Sequence, residues 1–162
     1  TMIELKTAVL IAASLKIGAI LGGASQRDAE DLYEFGRNLG IAFQLQDDLL
    51  DTYGDPAVMG KNQGTDIVDN KKTFLAIKAL GAASASQKEE LIAWIEQKDK
   101  DPEKKIEAVT SIFDSLNIKE VTELRIKDYY QKALSNLENL NRAEERKAEL
   151  YNFASFLRTR KR

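Results

Sequence analysis

Three carboxylates, Asp47, Asp48 and Asp51, stand inside a segment rich in apolar residues, and that placement restricts the folds open to it. On a helix advancing ~100° per residue, Gly36, Gly40, Phe43, Gln44, Asp47, Asp48 and Asp51 share about one third of the circumference. Leu39, Ile41, Ala42, Leu45, Leu49 and Leu50 take the rest. The acids therefore do not interrupt a core-facing stripe; they occupy a separate face. Gly36 and Gly40 keep bulk off that face upstream, so the pattern predicts the wall of a cavity.

Aspartate is a mediocre helix former, and like charges at i,i+3 and i,i+4 each cost about 0.2–0.5 kcal/mol. A divalent cation reverses that sign. Oxygen donors on one helical face suit Mg²⁺, which keeps several waters and shares its shell between one or two carboxylates and substrate phosphates. The competing reading is a solvated acidic helix face. An EF-hand fits poorly: a loop starting at Asp51 places Tyr53 and Asp55 at its third and fifth positions, and Asn62 where a bidentate glutamate belongs.

Downstream of the cluster, Asp51-Thr52-Tyr53-Gly54-Asp55-Pro56 breaks the helix by turn chemistry. Gly60-Lys61-Asn62-Gln63-Gly64-Thr65-Asp66 reads as a polar, glycine-bearing loop, and Asn70-Lys71-Lys72-Thr73 as the start of a new helix capped by Asn70. Lys71 and Lys72 then put positive charge at a terminus whose amide groups already favour anions. Two solvated lysines would cost little there. Beside a carboxylate cluster and the loop residue Lys61, a phosphate site is the better reading.

The chain is helical throughout, an all-α helical bundle, because no alternating strand pattern competes. Helices are expected over residues 2–21, 28–52, 71–82, 87–96, 102–116, 119–140 and 143–158. Ser86-Gln87-Lys88-Glu89 has capping-box spacing, and Asp101-Pro102 reads as a cap followed by proline at the first helical position. Ile106, Val109, Ile112, Phe113 and Leu116 form one apolar stripe; Val121, Leu124, Ala133, Leu134 and Leu137 contribute to another. These residues, and Trp94 among Leu91, Ile92 and Ile95, are read as core.

At 162 residues the chain is one domain's worth, and its net charge of −2 gives no electrostatic case for nucleic acid. Without cysteine or histidine there is no disulfide, thiolate zinc site or imidazole base. Chemistry must rest on carboxylates, amines, metals or a substrate's own phosphate. Residues 8–23 are apolar but carry Lys16 and end in Gly22-Gly23, too short and interrupted for a membrane span. With no signal-peptide pattern, the expectation is a soluble, cytoplasmic protein.

Taken in order, Lys6-Thr7, Phe43-Gln44, Asp47-Asp48-Leu49-Leu50-Asp51, Gly60-Lys61, Gly64, Asp66 and Asn70-Lys71-Lys72-Thr73 resemble the second half of the trans-isoprenyl diphosphate synthases. The resemblance implies the C-terminal part of the isoprenoid synthase (class I terpenoid synthase) fold. It also implies Mg²⁺-dependent head-to-tail condensation of isopentenyl diphosphate with an allylic diphosphate. Carried over residue by residue, Asp47 would be the principal metal ligand, with Asp48 and Asp51 acting mainly through metal-bound waters. Lys6, Lys61 and Lys71 would contact the allylic diphosphate, with Lys72 open as an alternative to Lys71. Thr7 and Gln44 would lie near the reacting carbons, Phe43 would be a wall residue, and Asp66 would support the loop. One departure is Phe74-Leu75-Ala76, where many relatives carry a proline.

The family's first aspartate-rich motif, its adjoining arginines and its isopentenyl diphosphate site all precede the Lys-Thr pair. This chain begins five residues before Lys6. The resemblance therefore implies a C-terminal portion holding one side of the metal clamp, inactive alone, and either homo-oligomeric or associated with the missing N-terminal half. A noncatalytic subunit of a heteromeric synthase and a terpene cyclase of the same fold stand as alternatives.

Overall fold

A computed structural model describes residues 3–59, 63–96 and 101–159. Among the described residues the secondary structure is entirely helical. A π-helical turn, Glu4–Ala8, leads into α1 (Val9–Leu21), followed by α2 (Gln26–Tyr53), α3 (Pro56–Met59), α4 (Thr65–Val68) and α5 (Phe74–Ala82). Then come α6 (Ala85–Glu96), α7 (Pro102–Ser115), α8 (Ile118–Glu138) and α9 (Glu144–Thr159). No helix among the described residues is long and apolar enough to cross a membrane. The chain forms two compact units, residues 3–45 with 125–159, and residues 46–124.

In the first unit, Phe35 and Leu39 of α2, Tyr130, Ala133 and Leu137 of α8, Leu140, and Ala154 of α9 make a buried core. Leu15, Leu32, Leu150 and Leu157 pack against it. Close approach of α1 to α2 depends on small residues. A Cβ on Gly36 would lie 2.9 Å from Ala12 Cα, and one on Gly40 would lie 2.7 Å from Ala8 Cα. These glycines therefore form a helix crossing. The expected cavity wall is corrected at these two positions: removing side chains there let another helix fill the space. Asn38 donates to Asn136 at 3.2 Å, while Asp28 accepts the Asn141 amide at 3.3 Å and pairs with Arg142 at 3.3 Å.

In the second unit, α7 packs on α4, α5 and α6. Its Val109, Ile112 and Phe113 meet Leu75, Ala79, Leu91 and Ile118, with Leu49, Tyr53, Ile67 and Trp94 at the edge. The α7 stripe is core as expected at Val109, Ile112 and Phe113, while Trp94 packs at the edge and Ile92 and Ile95 are exposed; the second stripe holds only in part. Ala133 and Leu137 are fully buried, whereas Val121 and Leu124 on the first turns of α8 are exposed.

Three local expectations also shift. Thr73, not Asn70, caps α5, its hydroxyl accepting the Ala76 amide at 3.2 Å. Asn70 instead takes φ +53°, one of the left-handed positions asparagine tolerates. Its side chain donates to the Ile95 carbonyl at 3.2 Å and accepts from Lys105 Nζ at 2.6 Å. The capping box lies two residues upstream of the expected one: Ser84 Oγ accepts the Gln87 amide at 3.3 Å, and Gln87 Oε1 accepts the Ser84 amide at 3.1 Å. Asp101 caps α7 ahead of Pro102 as expected. The stretch read as a polar loop contains α4, whose four residues are too few to show periodicity.

Candidate functional site

In the first unit the Lys-Thr pair lies in the π-helical turn, where Val9 N–H reaches the Glu4 carbonyl five residues back. Such turns are frequent at functional sites. Thr7 Oγ1 donates to Gln44 Oε1 at 2.9 Å, so two residues 37 apart in sequence are brought together. This bond orients the Gln44 amide, with its oxygen toward Thr7. Arg37 holds the same turn through Glu4 at 2.5 Å and reaches Glu34 at 3.0 Å. The Arg37 guanidinium keeps the Glu4 carboxyl below the usual range, chiefly by that hydrogen bond. Lys6 is exposed, and Phe43 is half-buried.

In the second unit the acids differ in exposure. Asp47 is half-buried, while Asp48 and Asp51 are buried at 6% and 2%. Asp51 is engaged by the following segment: Thr65 Oγ1 donates to Oδ1 at 2.5 Å, the Asp66 amide to Oδ2 at 2.8 Å, and the Gly64 amide to the Asp51 carbonyl at 2.6 Å. Gln63 Nε2 donates to the Thr52 carbonyl at 2.6 Å. The end of α2 and the start of α4 are thus joined by four hydrogen bonds.

Lys71 donates to Asp66 Oδ1 at 2.5 Å. That hydrogen bond, reinforced by the charges of Asp66, Asp69 and Asp51, raises the Lys71 pKa and keeps it an ammonium. Lys72 is exposed and makes no ion pair among the described residues. The two lysines thus differ in their surroundings, Lys71 tied to Asp66 and Lys72 exposed. Neither occupies the first turn of a helix, because α5 starts at Phe74; the expected helix-terminal placement is corrected. Lys61 lies outside the described residues. Arg158 stacks on the Tyr130 ring, 5.1 Å from its centroid.

A cavity of about 160 Å³ lies beside Lys71 and Lys72, lined by Ile67, Ala76, Ile77, Leu91, Val109 and Phe113 among others. Lys105, buried at 6% exposure, also lines it and donates to the Val68 carbonyl at 3.1 Å. Sequence reading passed over Lys105 and Thr65. Lys105 sits on the apolar side of α7, one residue before the Ile106 stripe, and Thr65 follows a glycine at a helix start; both signals are weak in isolation.

Among the described residues no three acidic side chains converge to hold a metal ion by themselves. The carboxylates at the end of α2 nonetheless suit a hard cation that takes one or two protein oxygens and completes its shell with phosphate and water. By donor chemistry, Asp47 and its neighbours fit Mg²⁺ held jointly with a diphosphate.

The sequence profile of the polyprenyl synthetase family matches residues 1–112. Over 147 residues the chain is 38% identical to the short chain isoprenyl diphosphate synthase of Methanothermobacter thermautotrophicus, covering 91% of this chain and 44% of that protein. It is 51% identical over 78 residues to the geranylgeranyl diphosphate synthase of Methanosarcina mazei, covering 48% and 24%. Among solved structures it matches a geranylgeranyl pyrophosphate synthase with a TM-score of 0.88 at 39% identity, covering 99% of this chain and 50% of that one. A second match is the geranylgeranyl pyrophosphate synthase of Corynebacterium glutamicum complexed with isoprenyl diphosphate and magnesium (TM-score 0.83, 34% identity), covering 97% and 44%. The chain spans less than half the length of these curated relatives.

All-helical units, an aspartate cluster closing α2 and a lysine-bearing segment tied to it define the class of isoprenoid synthase folds. The chain belongs to the polyprenyl synthetase family.

Proposed function

We propose that the chain serves Mg²⁺-dependent prenyl transfer, contributing the second aspartate-rich motif and the diphosphate-binding lysines to condensation of an allylic diphosphate with isopentenyl diphosphate. The carrying observation is the hydrogen-bonded path from the DDxxD cluster to Lys71. It joins carboxylates suited to a hard cation to an ammonium suited to phosphate, within one compact unit.

In this reading the allylic carbon–oxygen bond breaks with its electron pair on the departing pyrophosphate, and stabilising that developing charge is the main task. Bound Mg²⁺ would neutralise the leaving group as a Lewis acid. Asp47 would be the chain's principal ligand to it, with Asp48 and Asp51 ordering the surrounding waters. Lys71 and Lys61 would hold phosphate oxygens, with Lys6 as a third cation. Thr7 would fix the Gln44 amide near the reacting carbons, with Phe43 as a wall. The double bond of isopentenyl diphosphate then forms the new carbon–carbon bond, and loss of a proton restores an alkene.

Calorimetry tests the chain's share of this reaction. Pyrophosphate should bind in the presence of Mg²⁺, and each should bind weakly without the other, because Mg²⁺ gives up its waters reluctantly. Equal, tight Mg²⁺ binding with and without pyrophosphate would refute the reading.

A further inference from the structure

By its place in the cluster, Asp51 is expected to face metal-bound water, yet it is 2% exposed and both carboxylate oxygens hold the start of α4. The Thr65 hydroxyl and the Asp66 amide each take one oxygen, so Asp51 acts as a remote cap for a helix of only four residues. Such a helix has too few internal hydrogen bonds to hold itself, since nucleation is the costly step of helix formation. Its geometry must come from outside, and Asp51 supplies it.

The other side of the segment is closed as well. Gly64 takes φ +76°, and a Cβ there would lie 2.7 Å from Ile106 Cγ1, so the chain is pressed against α7. Downstream, the Lys71 amide donates to the Asp66 carbonyl at 2.9 Å and Lys71 Nζ to the Asp66 carboxylate at 2.5 Å. An unbroken hydrogen-bonded path therefore runs from the last turns of α2 through Asp66 to the Lys71 ammonium. Thr65 contributes its side-chain hydroxyl beside that path. Valine has nearly the same shape as threonine but cannot donate to Asp51.

We propose that Thr65 is a positioning residue for diphosphate: by donating to Asp51 it fixes Asp66, and through Asp66 it fixes the ammonium of Lys71. The proposal rests on the reading of Lys71 as a diphosphate contact. It gives Asp51 the task of holding the phosphate-binding segment and leaves Asp47 as the chief metal-facing member of the cluster. Lys71 then meets the ligand already ordered, so less freedom is lost on binding.

Thr65→Val and Thr65→Ser in the 162-residue chain, each alone and combined with Lys71→Ala, test this by titration with inorganic pyrophosphate in Mg²⁺. Thr65→Val should weaken binding about tenfold and Thr65→Ser by no more than about twofold; once Lys71 is alanine, Thr65→Val should add nothing. Hydrogen exchange without ligand gives an independent readout: the Asp66 and Lys71 amides should exchange faster in Thr65→Val and not in Thr65→Ser, with the Leu39 amide unchanged. Parental affinity in Thr65→Val, an equal loss in the Lys71→Ala background, or unaltered exchange at Asp66 and Lys71 would overturn the proposal. If the parent itself fails to bind pyrophosphate, the assignment of Lys71 falls with the proposed function, and exchange alone decides whether Thr65 holds the segment.

Discussion

At the residue scale, the proposed tasks of Asp47, Asp51, Asp66 and Lys71 are separable by substitution. Asp47 is half-buried in the last turns of α2, and Asp51 and Asp66 hold the chain itself. On the proposed reading, Asp47→Ala should abolish the Mg²⁺ dependence of pyrophosphate binding, as calorimetry would show. Lys71→Ala should weaken pyrophosphate about 10–100-fold, since a charge-assisted contact is worth about 1.5–3 kcal/mol. Lys88, exposed on α6, is the control. If Lys88→Ala and Lys71→Ala bound pyrophosphate alike, the segment would be structural only. The family resemblance named Asp47, Asp48 and Asp51 for metal, Asp66 for support of the loop and Lys71 for phosphate with Lys72 open, but it did not show that Asp51 also holds the chain. That hold depends on Thr65 and the Asp66 amide reaching back across 14 and 15 residues.

At the element scale, the glycines of α2 and the tyrosine at its end set the packing. Gly40→Ala drives a Cβ to 2.7 Å from Ala8 Cα, a backbone atom that can move only with its helix. Overpacking of this kind costs about 1–3 kcal/mol, so urea denaturation of Gly40→Ala should show a lower midpoint; an unchanged midpoint would mean the crossing has slack. Tyr53 closes α2, and its hydroxyl donates to Asp114 at 2.8 Å. Burial first, then the Asp114 carboxylate, pushes the phenol well above the usual tyrosine range. Below pH ~10 the hydroxyl is protonated in both folded and unfolded chains, so its contribution is intact. Above that the unfolded chain ionises first, and stability falls as pH rises toward the folded value. Denaturation followed by the fluorescence of Trp94 should therefore show an alkaline decline that is shallower in Tyr53→Phe, although that variant forfeits about 1 kcal/mol of hydrogen bond at neutral pH. Equal declines in the two would assign the effect to other groups.

On the scale of the whole molecule, the π-helical turn and α1 expose several large apolar residues. Leu5, Leu10, Ile17, Ile20 and Leu21 are 58–83% exposed, and at ~100° per residue Leu10, Ile17 and Leu21 fall on one narrow stripe. Contiguous apolar surface tends to recruit partners, and the occupant we expect in solution is a second copy of the chain. Sedimentation equilibrium should show self-association that the double substitution Leu10→Lys, Ile17→Lys weakens, with little change in stability because neither side chain is core. A monomeric parent would contradict this. Sequence alone determined the helical class, the α7 stripe and the Asp101 cap, because 3.6-residue periodicity and cap chemistry are local properties. Only the tertiary structure decided that Gly36 and Gly40 admit a neighbouring helix and leave no open wall. It alone placed Thr73 and Ser84 at the caps assigned to Asn70 and Ser86, and it alone tied Lys71 to Asp66. Apart from the Ser84 cap, whose partner Gln87 is local, those outcomes depend on atoms many residues away: Ala8 and Ala12 across the helix crossing, Lys105 on Asn70, and Asp66 held by Asp51. Pattern in the chain specifies which faces are apolar and which are charged, but what meets each face is settled by packing.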